Sequence, residues 1–468
     1  MKKRRIIFGV FFIYVCLLTV PYIAHKKVSD TYKNSFRNRT FFGDTPGNAR
    51  VASINANTDA LLYRLNMTEQ AKQEIILSTF DFNADDAGKD MMAALLHAAD
   101  RGVSVRIIVD GFSGFLDIQG DPWFQALTSH PNISLKIYNP VNLLKPWNMQ
   151  ARLHDKYLII DQSMYLIGGR NTTNLFLGNY SSSQNIDREL FIYETVPSDS
   201  SSLVDLRIYF ESVWALPDSK EYNQKKSSRK SLEKKVAEKE ALLKERYIQL
   251  QEQYPAAYEP WDYQALTMEA NQVSLLTNPI ETENKEPWMW YSLHQLMMQG
   301  KEITIYTPYI ICGKEMYQDL TELTDRQIPV EIITNDVASG ANPWGCTDYL
   351  NQKKNIFKTG VKVYEFMGEH SCHTKSVLID DRMSIAGSYN MDMRSTYQDT
   401  ELMLAIDSEE LNQIIRTETE TDKTYSKTAQ DDGSYSYDPG YIAKETSIGK
   451  RIFYGILRIV VIPIRRFL

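Results

Sequence analysis

The feature that most constrains the fold is a sequence motif that occurs twice in the 468-residue chain, once in each half. Its core reads H-x-K-x(4)-D, then six further residues, then G-[GS]-x-N. One copy runs from His154 to Asn171, and the other runs from His373 to Asn390, 219 positions further along. Five positions that recur at identical spacing, in a chain with only seven histidines, are not an accident of composition. The chain therefore contains two copies of one structural unit.

Each motif is preceded by a similar series of apolar runs. Residues 74–79 and 103–110 of the first half, and 302–307 and 330–335 of the second half, are rich in Ile and Val. Stretches with helical periodicity separate the two runs of each half. Such an alternation predicts strands joined by crossover helices. We therefore predict an α/β fold of two duplicated lobes, each a mixed sheet flanked by helices, which together form one pseudo-twofold site.

The histidine and the lysine of each motif point to the chemistry. Alternate residues of an extended segment project to the same side, so these two side chains share one face. A lone histidine in an apolar strand is more often a packed core residue, but recurrence of the whole motif argues against that interpretation. Cleavage of a phosphodiester needs a nucleophile, an acid for the leaving oxygen and positive charge for the phosphate oxygens. The sequence therefore predicts phosphodiester chemistry, with half of the site from each lobe.

The doubled motif resembles the phospholipase D superfamily. Within it, the two halves of bacterial cardiolipin synthases are similar to Gly168–Asn171 followed by Asp187-Arg188-Glu189, and to Gly387–Ser395 followed by Glu401. The resemblance covers roughly residues 50–218 and 263–410. Family members usually carry Asn two residues before the second glutamate, where this chain has Asp399. That departure concerns the choice of acceptor more than the core chemistry.

The resemblance implies a role for each histidine and lysine. It makes His154 the nucleophile, which forms a phosphohistidine, and His373 the general acid and later the general base. The residues alone do not decide which histidine has which part. Lys156 and Lys375 are expected to hold the phosphate oxygens as point charges.

The same resemblance adds neutral and acidic groups to the site. Asn171 and Asn390 are expected to donate hydrogen bonds to the phosphate. Glu189 and Glu401 are expected each to accept the second N–H of an imidazole, and thereby to fix its tautomer; ordinary surface carboxylates are the alternative. The motif aspartates, grouped with the catalytic residues but expected to lie too far along the strand to touch phosphate, are Asp161 and Asp380.

This scheme requires no metal and no other cofactor. The four cysteines show no C-x-x-C pairing, and the chain has no H-E-x-x-H run. Cys312 and Cys346 could form a disulfide in an oxidising compartment, which their spacing does not decide.

The N-terminus predicts a membrane anchor within residues 1–27. Four basic residues precede an apolar run, 6–24, close to the ~20 residues that cross a bilayer. A cleaved signal peptide is the alternative, but its apolar core is usually shorter and ends in a small-residue site, which Tyr22-Ile23-Ala24 matches poorly. Basic residues before the span place the N-terminus in the cytoplasm. We therefore expect a cell-membrane protein whose catalytic body lies outside the cytoplasm.

The C-terminus predicts a second membrane contact. Residues 449–468 are apolar except for basic residues, and Arg451, Arg458 and Arg465 are seven positions apart. Seven residues are nearly two helical turns, so the arginines form one stripe of an amphipathic helix. Such a helix is typical of the headgroup layer of a membrane. A tail packed on the protein's own surface is the alternative.

Two further segments separate the predicted units. The charged segment 219–262 has apolar residues at helical intervals and predicts an amphipathic helix that rests on the lobes, with a partner-binding coil as the alternative. Residues 417–448, rich in Thr, Ser and Asp, predict a flexible tether. The lobes themselves are predicted at 50–218 and 263–416.

The distribution of charge favours a lipid substrate. The net charge is −7, and much of the positive charge lies near the two termini. A nucleic acid partner would need a basic stripe along the body, so none is expected. With the resemblance, this predicts a membrane-anchored phosphatidyltransferase, a cardiolipin synthase acting on anionic phospholipids such as phosphatidylglycerol. Hydrolysis to phosphatidic acid is one alternative, because pocket shape and dryness decide whether a lipid or water is the acceptor. A nuclease or other phosphodiesterase is the other alternative.

Overall fold

The protein is a pair of α/β lobes in a computed structural model that describes residues 2–222, 230–430 and 434–468. Each lobe is built on a nine-stranded sheet with parallel and antiparallel strands, and a two-stranded sheet links the lobes. The prediction of two duplicated α/β lobes with mixed sheets is confirmed.

The first lobe follows two N-terminal helices, α1 (Lys2–Thr19) and α2 (Asp30–Arg37). Its elements are β1 (Ala49–Ile54), α3 (Asn57–Gln70), β2 (Glu74–Thr79), α4 (Asp86–Asp100), β3 (Ser104–Asp110), α5 (Gly111–Ser113), α6 (Pro122–Leu127), β4 (Ile133–Tyr138), β5 (Tyr157–Ile160), β6 (Met164–Gly168), β7 (Asn185–Ile186), β8 (Glu189–Glu194), α7 (Ser202–Ala215) and β9 (Ser219–Glu221). Strands β2, β3 and β4 are parallel, whereas β5 and β6 run antiparallel to their neighbours.

The segment between the lobes forms a long helix. Helix α8 (Lys230–Gln253) packs on α4 and α6, and its Leu243, Tyr247 and Leu250 are buried in the core of the first lobe. Residues 223–229 of the predicted segment 219–262 lie outside the described part of the chain. Strand β10 (Met268–Glu269) then pairs with β1 and completes the first sheet.

The second lobe repeats the arrangement of the first. Its elements are β11 (Gln272–Thr277), α9 (Trp288–Met297), β12 (Ile303–Tyr306), α10 (Lys314–Asp325), β13 (Val330–Asn335), α11 (Pro343–Phe357), β14 (Lys362–Phe366), β15 (Ser371–Cys372), β16 (Ser376–Ile379), β17 (Met383–Gly387), α12 (Met393–Tyr397), β18 (Leu402–Asp407), α13 (Glu409–Lys423), β19 (Ser426–Ala429) and β20 (Tyr435–Tyr437). Strands β12, β13 and β14 are parallel, like β2, β3 and β4.

The predicted tether at 417–448 is wrong for most of its described residues. Residues up to Lys423 complete helix α13, and β19 and β20 extend the second sheet beyond β14. Their polar composition is compatible with strands because an edge strand is held by backbone hydrogen bonds. Lys427, moreover, forms ion pairs with the buried carboxylates of Asp336 and Glu365.

An apolar core shared by the two lobes holds the sheets against each other. It contains Leu190 and Ile192 from the first lobe together with Leu402, Leu404 and Ile406 from the second. Burying each such side chain contributes about 1.5–3 kcal/mol. The central strands read as continuous apolar runs because both of their faces are covered. This core sets the distance between the two halves of the repeat.

The two terminal segments meet at Tyr22, whose carbonyl accepts from Arg466 at 3.0 Å. Among the described helices, one is long and apolar enough to cross a membrane, and it covers Lys3–Tyr22, which fits the predicted anchor. The C-terminal helix α14 (Ile448–Ile464) packs on α11. Two of its predicted stripe arginines face the protein, since Arg458 bonds Asn351 and Arg465 bonds Asp348. Cys312 and Cys346, the predicted candidates for a disulfide, are free and buried.

Candidate active site

The two H-x-K segments lie at equivalent edges of the two sheets. In the first lobe Tyr157 pairs with Ser78, so the residues before Tyr157 lie beyond the carboxyl end of β2. In the second lobe Ser376 pairs with Tyr306, which places the preceding residues beyond the end of β12. The motif histidines and lysines therefore occupy corresponding positions, as the repeat predicted.

Backbone contacts join these two edges directly. Strands β7 and β15 form the two-stranded parallel sheet between the lobes, and the N–H of His373 donates to the Ile186 carbonyl at 2.7 Å. On the other side, the N–H of Thr400 donates to the Arg152 carbonyl at 2.9 Å, and its Oγ1 accepts from the N–H of His154 at 3.1 Å. The backbone N–H of each motif histidine is thus bonded to a residue of the opposite lobe.

Each imidazole is also paired with a buried carboxylate from the opposite lobe. His154 Nδ1 lies 2.8 Å from Glu401 Oε1, and His373 Nδ1 lies 2.7 Å from Asp187 Oδ2. Such a bond fixes the tautomer and the orientation of an imidazole, and it leaves Nε2 as the free ring nitrogen. The predicted contact of Glu401 with an imidazole is present, and it crosses between the lobes.

The predicted contact between Glu189 and an imidazole is wrong, because Asp187 makes it. Glu189 instead forms a buried ion pair with Arg64, at 2.7 and 2.5 Å, and lies 3.6 Å from Arg170. The sheet register explains the exchange. Gly168 pairs with Glu189, whereas Gly387 pairs with Met403. Asp187 and Glu401 are each two residues before the partner of the motif glycine, and are therefore the equivalent positions.

The two motif lysines are almost completely buried beside the histidines. Lys156 Nζ donates to the His154 carbonyl at 2.5 Å, and Lys375 Nζ lies 2.6 Å from His373 Nδ1 and 3.8 Å from Asp187 Oδ2. Burial lowers the pKa of Lys156 to about 7 and also lowers the pKa of Lys375. Burial thus disfavours the charged form of both lysines, and a bound anion would stabilise that form.

The pKa values of both histidines are lowered, whereas the pKa values of their two carboxylate partners shift in opposite directions. Burial and the nearby lysines lower the pKa of His154, and burial and Lys375 lower that of His373 to about 3. Burial raises the pKa of Glu401 to about 7. Burial also acts to raise the pKa of Asp187, but Lys375 and His373 outweigh it and leave the pKa lowered. The two imidazoles therefore have carboxylate partners of unequal acidity.

The motif asparagines lie in the same region as the lysines. The side-chain Oδ1 atoms of Asn171 and Asn390 are buried and have no hydrogen-bond partner among the described residues. Buried polar atoms without a partner are uncommon, so these two acceptor oxygens are free to accept a hydrogen bond from a bound molecule.

The motif aspartates lie at the opposite edge of each sheet. Asp161 and Asp380 have φ values of 53° and 52°. The Asp161 carboxylate accepts the N–H groups of Gln73 and Glu74 at 2.8 Å, and Asp380 accepts that of Lys301 at 2.7 Å. Grouping them with the catalytic residues was therefore wrong: they hold the turn after β5 or β16 against the start of the neighbouring strand.

The alternation of glycine and serine in the motif also has a structural reason. A Cβ atom at Gly169 would collide with the carboxylate of Asp187. The equivalent residue of the second lobe is Ser388, whose hydroxyl donates to Glu401. Gly169 of the first lobe thus leaves space for the carboxylate of Asp187, whereas Ser388 of the second lobe forms a hydrogen bond to the carboxylate of Glu401.

A separate group of possible metal ligands lies in the helical layer of the second lobe. Ligand atoms of His294, Asp319 and Glu322 lie within 4.8 Å of one another. Trp290 Nε1 donates to Asp319 at 2.7 Å, so one of these carboxylates already has a protein partner.

Replacing Glu189 with glutamine is expected to lower stability rather than to remove one chemical step. The substitution leaves Arg64 and Arg170 buried with less compensating charge, and breaking such a pair costs about 3–5 kcal/mol. Thermal unfolding of the purified protein measures the loss. Glu269→Gln is the matched control, because Glu269 is exposed and lies 3.6 Å from Arg50. Equal melting temperatures for the two variants would contradict the structural role of Glu189.

Comparison with known proteins agrees with this geometry. The family described as "Cardiolipin synthase, PLD-like domain" matches residues 65–214 and 293–423. Cardiolipin synthase C of Escherichia coli is 24% identical over 79% of this chain and 84% of its own length. Cardiolipin synthase B of Salmonella typhi is 26% identical, and the match covers 74% of each chain.

Solved structures support the same fold. The crystal structure of phosphatidylserine synthase from Haemophilus influenzae has a TM-score of 0.62 and is 15% identical; the match covers 94% of this chain and 99% of that one. At this identity the similarity concerns the fold alone. The family match covers more than half of the sequence and both halves of the repeat. The chain therefore belongs to the cardiolipin synthase-like phosphatidyltransferases of the phospholipase D superfamily.

Proposed function

We propose that this protein is a membrane-anchored cardiolipin synthase that transfers a phosphatidyl group through a phosphohistidine. The observation that carries the proposal is the pair of cross-lobe bonds, His154 to Glu401 and His373 to Asp187, each beside a buried lysine. Two imidazoles and two ammonium groups supply a nucleophile, a proton donor and charge for the phosphate oxygens. The substrate is proposed to be phosphatidylglycerol.

In the first step, His154 Nε2 attacks the phosphorus of one phosphatidylglycerol. A nitrogen–phosphorus bond forms, and the bond from phosphorus to the glycerol headgroup oxygen breaks. His373 gives its proton to that oxygen, so free glycerol leaves. Lys156 and Lys375 stabilise the negative charge on the other phosphate oxygens, with Asn171 and Asn390 beside them.

In the second step, the neutral His373 takes a proton from a headgroup hydroxyl of a second phosphatidylglycerol. The hydroxyl oxygen attacks phosphorus, and the bond to His154 breaks. The products are cardiolipin and the free imidazole of His154. Attack by water in this step would instead release phosphatidic acid.

The ionised state of Asp187 supports His373 as the proton donor. Burial and Lys375 lower the pKa of His373, while Asp187 acts to raise it. A bound phosphate adds negative charge next to both imidazoles, which favours their protonated forms. Asp187, with its lowered pKa, keeps its charge and stabilises the imidazolium that a donor must carry.

Replacing Asp187 with asparagine is therefore expected to shift the pH dependence of lipid turnover. A general acid must be protonated, so activity falls as pH rises through its pKa. Removing the carboxylate lowers the pKa of His373 further, and the alkaline limb of the profile moves to lower pH. We expect kcat to fall roughly 10²–10⁴-fold near neutral pH, the range for loss of acid–base catalysis. Glu401→Gln, at the other imidazole, is the control and should leave the alkaline limb in place.

The setting we propose is the outer face of the cell membrane. Basic residues form the first turn of the helix that could span a bilayer, which favours an N-terminus in the cytoplasm. A cysteine introduced at exposed Ile208 should then react with a membrane-impermeant thiol reagent in intact cells. Reaction only after cell lysis would place the body on the cytoplasmic side.

The proposed activity is tested by lipid analysis in cells that lack their own cardiolipin synthases. Expression of the full chain should restore cardiolipin, and purified protein in phosphatidylglycerol vesicles should release one glycerol for each cardiolipin formed. Phosphatidic acid without cardiolipin would show that water is the acceptor. Cleavage of DNA with no lipid turnover would assign the site to a nuclease.

A further inference from the structure

Exposed apolar surfaces flank the catalytic edge of both lobes. Contiguous apolar surface is unusual on a soluble protein and marks contact with a membrane or another protein. We name the loops 111–121 and 139–150 the first rim, and the outward face of α14 the second rim. The anchor helix α1 lies between them.

The first rim leaves the sheet at the edge that carries His154. Strands β2, β3 and β4 are parallel, so their carboxyl ends share this edge. The two loops of the first rim follow β3 and β4 there. Leu116 is 72% exposed and Leu144 is 86% exposed. The large apolar side chains exposed on this rim are Phe112, Phe115, Leu116, Leu143, Leu144 and Trp147.

Buried polar contacts keep the two loops of the first rim together. The guanidinium of Arg152, two residues before His154, donates to the Asn139 carbonyl at 3.1 Å and lies 4.8 Å from the ring centre of Phe112. The Asn139 amide donates to the carbonyls of Asn148 and Ala151 at 2.7 and 2.8 Å. The exposed side chains therefore project from loops that are tied to the catalytic segment.

The second rim crosses the corresponding edge of the second lobe. At one end of α14, Lys450 bonds the Ala338 carbonyl, after β13; beyond its other end, Arg465 bonds the Cys312 carbonyl, after β12. Tyr454, Leu457 and Val461 are buried against the lobe. The large apolar side chains exposed on α14 are Ile448, Ile452, Phe453, Ile456, Ile459, Val460 and Ile462. Arg458 and Arg465 do not contribute to this face, because they bond Asn351 and Asp348 of the second lobe.

The anchor helix contacts the first rim, the residue Tyr22 after it contacts the segment that follows α14, and the helix borders a cavity. Tyr14 of α1 lies 3.8 Å from Met149 Sδ of the first rim, and the Tyr22 carbonyl accepts from Arg466 at 3.0 Å, next to α14. A cavity of about 1220 Å³ is lined by α1, by the end of α14 and by the second lobe. It reaches Gln150, four residues before His154, and Met393, three residues after Asn390.

We propose that the first and second rims are both inserted in the lipid leaflet next to the catalytic body, so that the catalytic cleft opens onto the bilayer. A lipid leaflet fits this surface better than a protein partner does, because the surface is continuous with a helix that could span the membrane. The donor lipid then enters sideways through the cavity beside α1. The identity of that lipid rests on the proposed function, whereas the docking of the rims does not.

Dye labelling in vesicles tests the insertion without an activity assay. In a Cys16→Ser background the remaining cysteines are buried, so a single cysteine at Leu144, Ile456 or Ile208 can carry an environment-sensitive dye. The full-length protein is reconstituted in vesicles of phosphatidylcholine and phosphatidylglycerol. Ile208 is the control, because it is 60% exposed and its neighbour Arg207 bonds the Asp161 carbonyl at the opposite sheet edge.

The expected result is blue-shifted emission at positions 144 and 456, with at least about twofold quenching by phospholipids spin-labelled near the headgroup, and water-like emission at 208. Water-like, unquenched dye at both 144 and 456 would overturn the proposal. A blue shift without lipid quenching would assign the surface to a protein contact and also overturn it. Quenching at both positions in a protein that makes no cardiolipin would contradict the proposed function and leave the membrane surface supported.

Discussion

Replacing His154 with alanine is expected to abolish phosphatidyl transfer, with a fall in turnover of roughly 10⁵–10⁶-fold, the scale of losing a catalytic nucleophile. The imidazole is proposed to form the bond to phosphorus, so its loss removes the nucleophile of the proposed scheme. Phosphatidylglycerol labelled on phosphate should leave an acid-labile label on the wild-type protein and none on the variant. Glycerol release measures the loss of turnover.

His130→Ala is the matched control for this prediction. His130 lies 3.4 Å from Asp100, beside the beginning of β4 and away from the catalytic edge. It should form the labelled protein at the wild-type rate. A labelled His154→Ala protein would show that another residue is the nucleophile. If the label were absent only from His373→Ala, His373 would be the nucleophile and His154 the acid.

Replacing His373 with alanine is expected to trap the covalent intermediate when the leaving group needs no proton. Phosphatidyl-p-nitrophenol releases p-nitrophenolate without protonation, so His154 can still be phosphatidylated. The second step then lacks its base, and turnover should fall by roughly 10²–10⁴-fold. We expect one p-nitrophenolate per active site in a burst, followed by a stall with the label still bound.

Phosphatidylglycerol, the proposed natural substrate, should behave differently from phosphatidyl-p-nitrophenol in the His373→Ala variant. Glycerol is a poor leaving group without a proton, so His373→Ala should be slow in the first step with phosphatidylglycerol and should accumulate little label. Wild-type protein should turn over both substrates without accumulating the intermediate to the same extent. Continued turnover of His373→Ala at the wild-type rate would refute the proposal of two histidines with separate roles.

The sequence was sufficient for the repeat, the two-lobe fold and the residues of the H-x-K motifs. It was not sufficient for the carboxylates, since Asp187 and Glu189 are both plausible from their distance to the motif. Only the strand register, Gly168 with Glu189 and Gly387 with Met403, identifies Asp187 as the equivalent of Glu401. A comparison of the two loop lengths after the glycines could not have shown this, because the loops differ in length.

The remaining errors have a common physical origin. Amino-acid composition describes side chains, whereas β19 and β20 are held in the sheet largely by backbone hydrogen bonds. A polar composition therefore predicts a tether where the structure has strands. The periodicity of α14 correctly indicated an amphipathic helix but not which face meets the protein. The arginine stripe looked suited to headgroups, yet Asp348 and Asn351 bind two of its members.

Each catalytic imidazole is bonded to a carboxylate of the opposite lobe, so the reactivity of the site depends on how the two lobes pack together. Each imidazole is oriented by a group that its own lobe does not carry, so a small separation of the lobes would disorient both histidines at once. The short parallel pair of Asn185–Ile186 with Ser371–Cys372 forms one side of that junction, and the single bridge between Leu153 and Thr400 forms the other. A molecule that bound between the two strands of that pair would inhibit the protein without competing for the phosphate site. The interface between the lobes is therefore a candidate site of non-competitive inhibition.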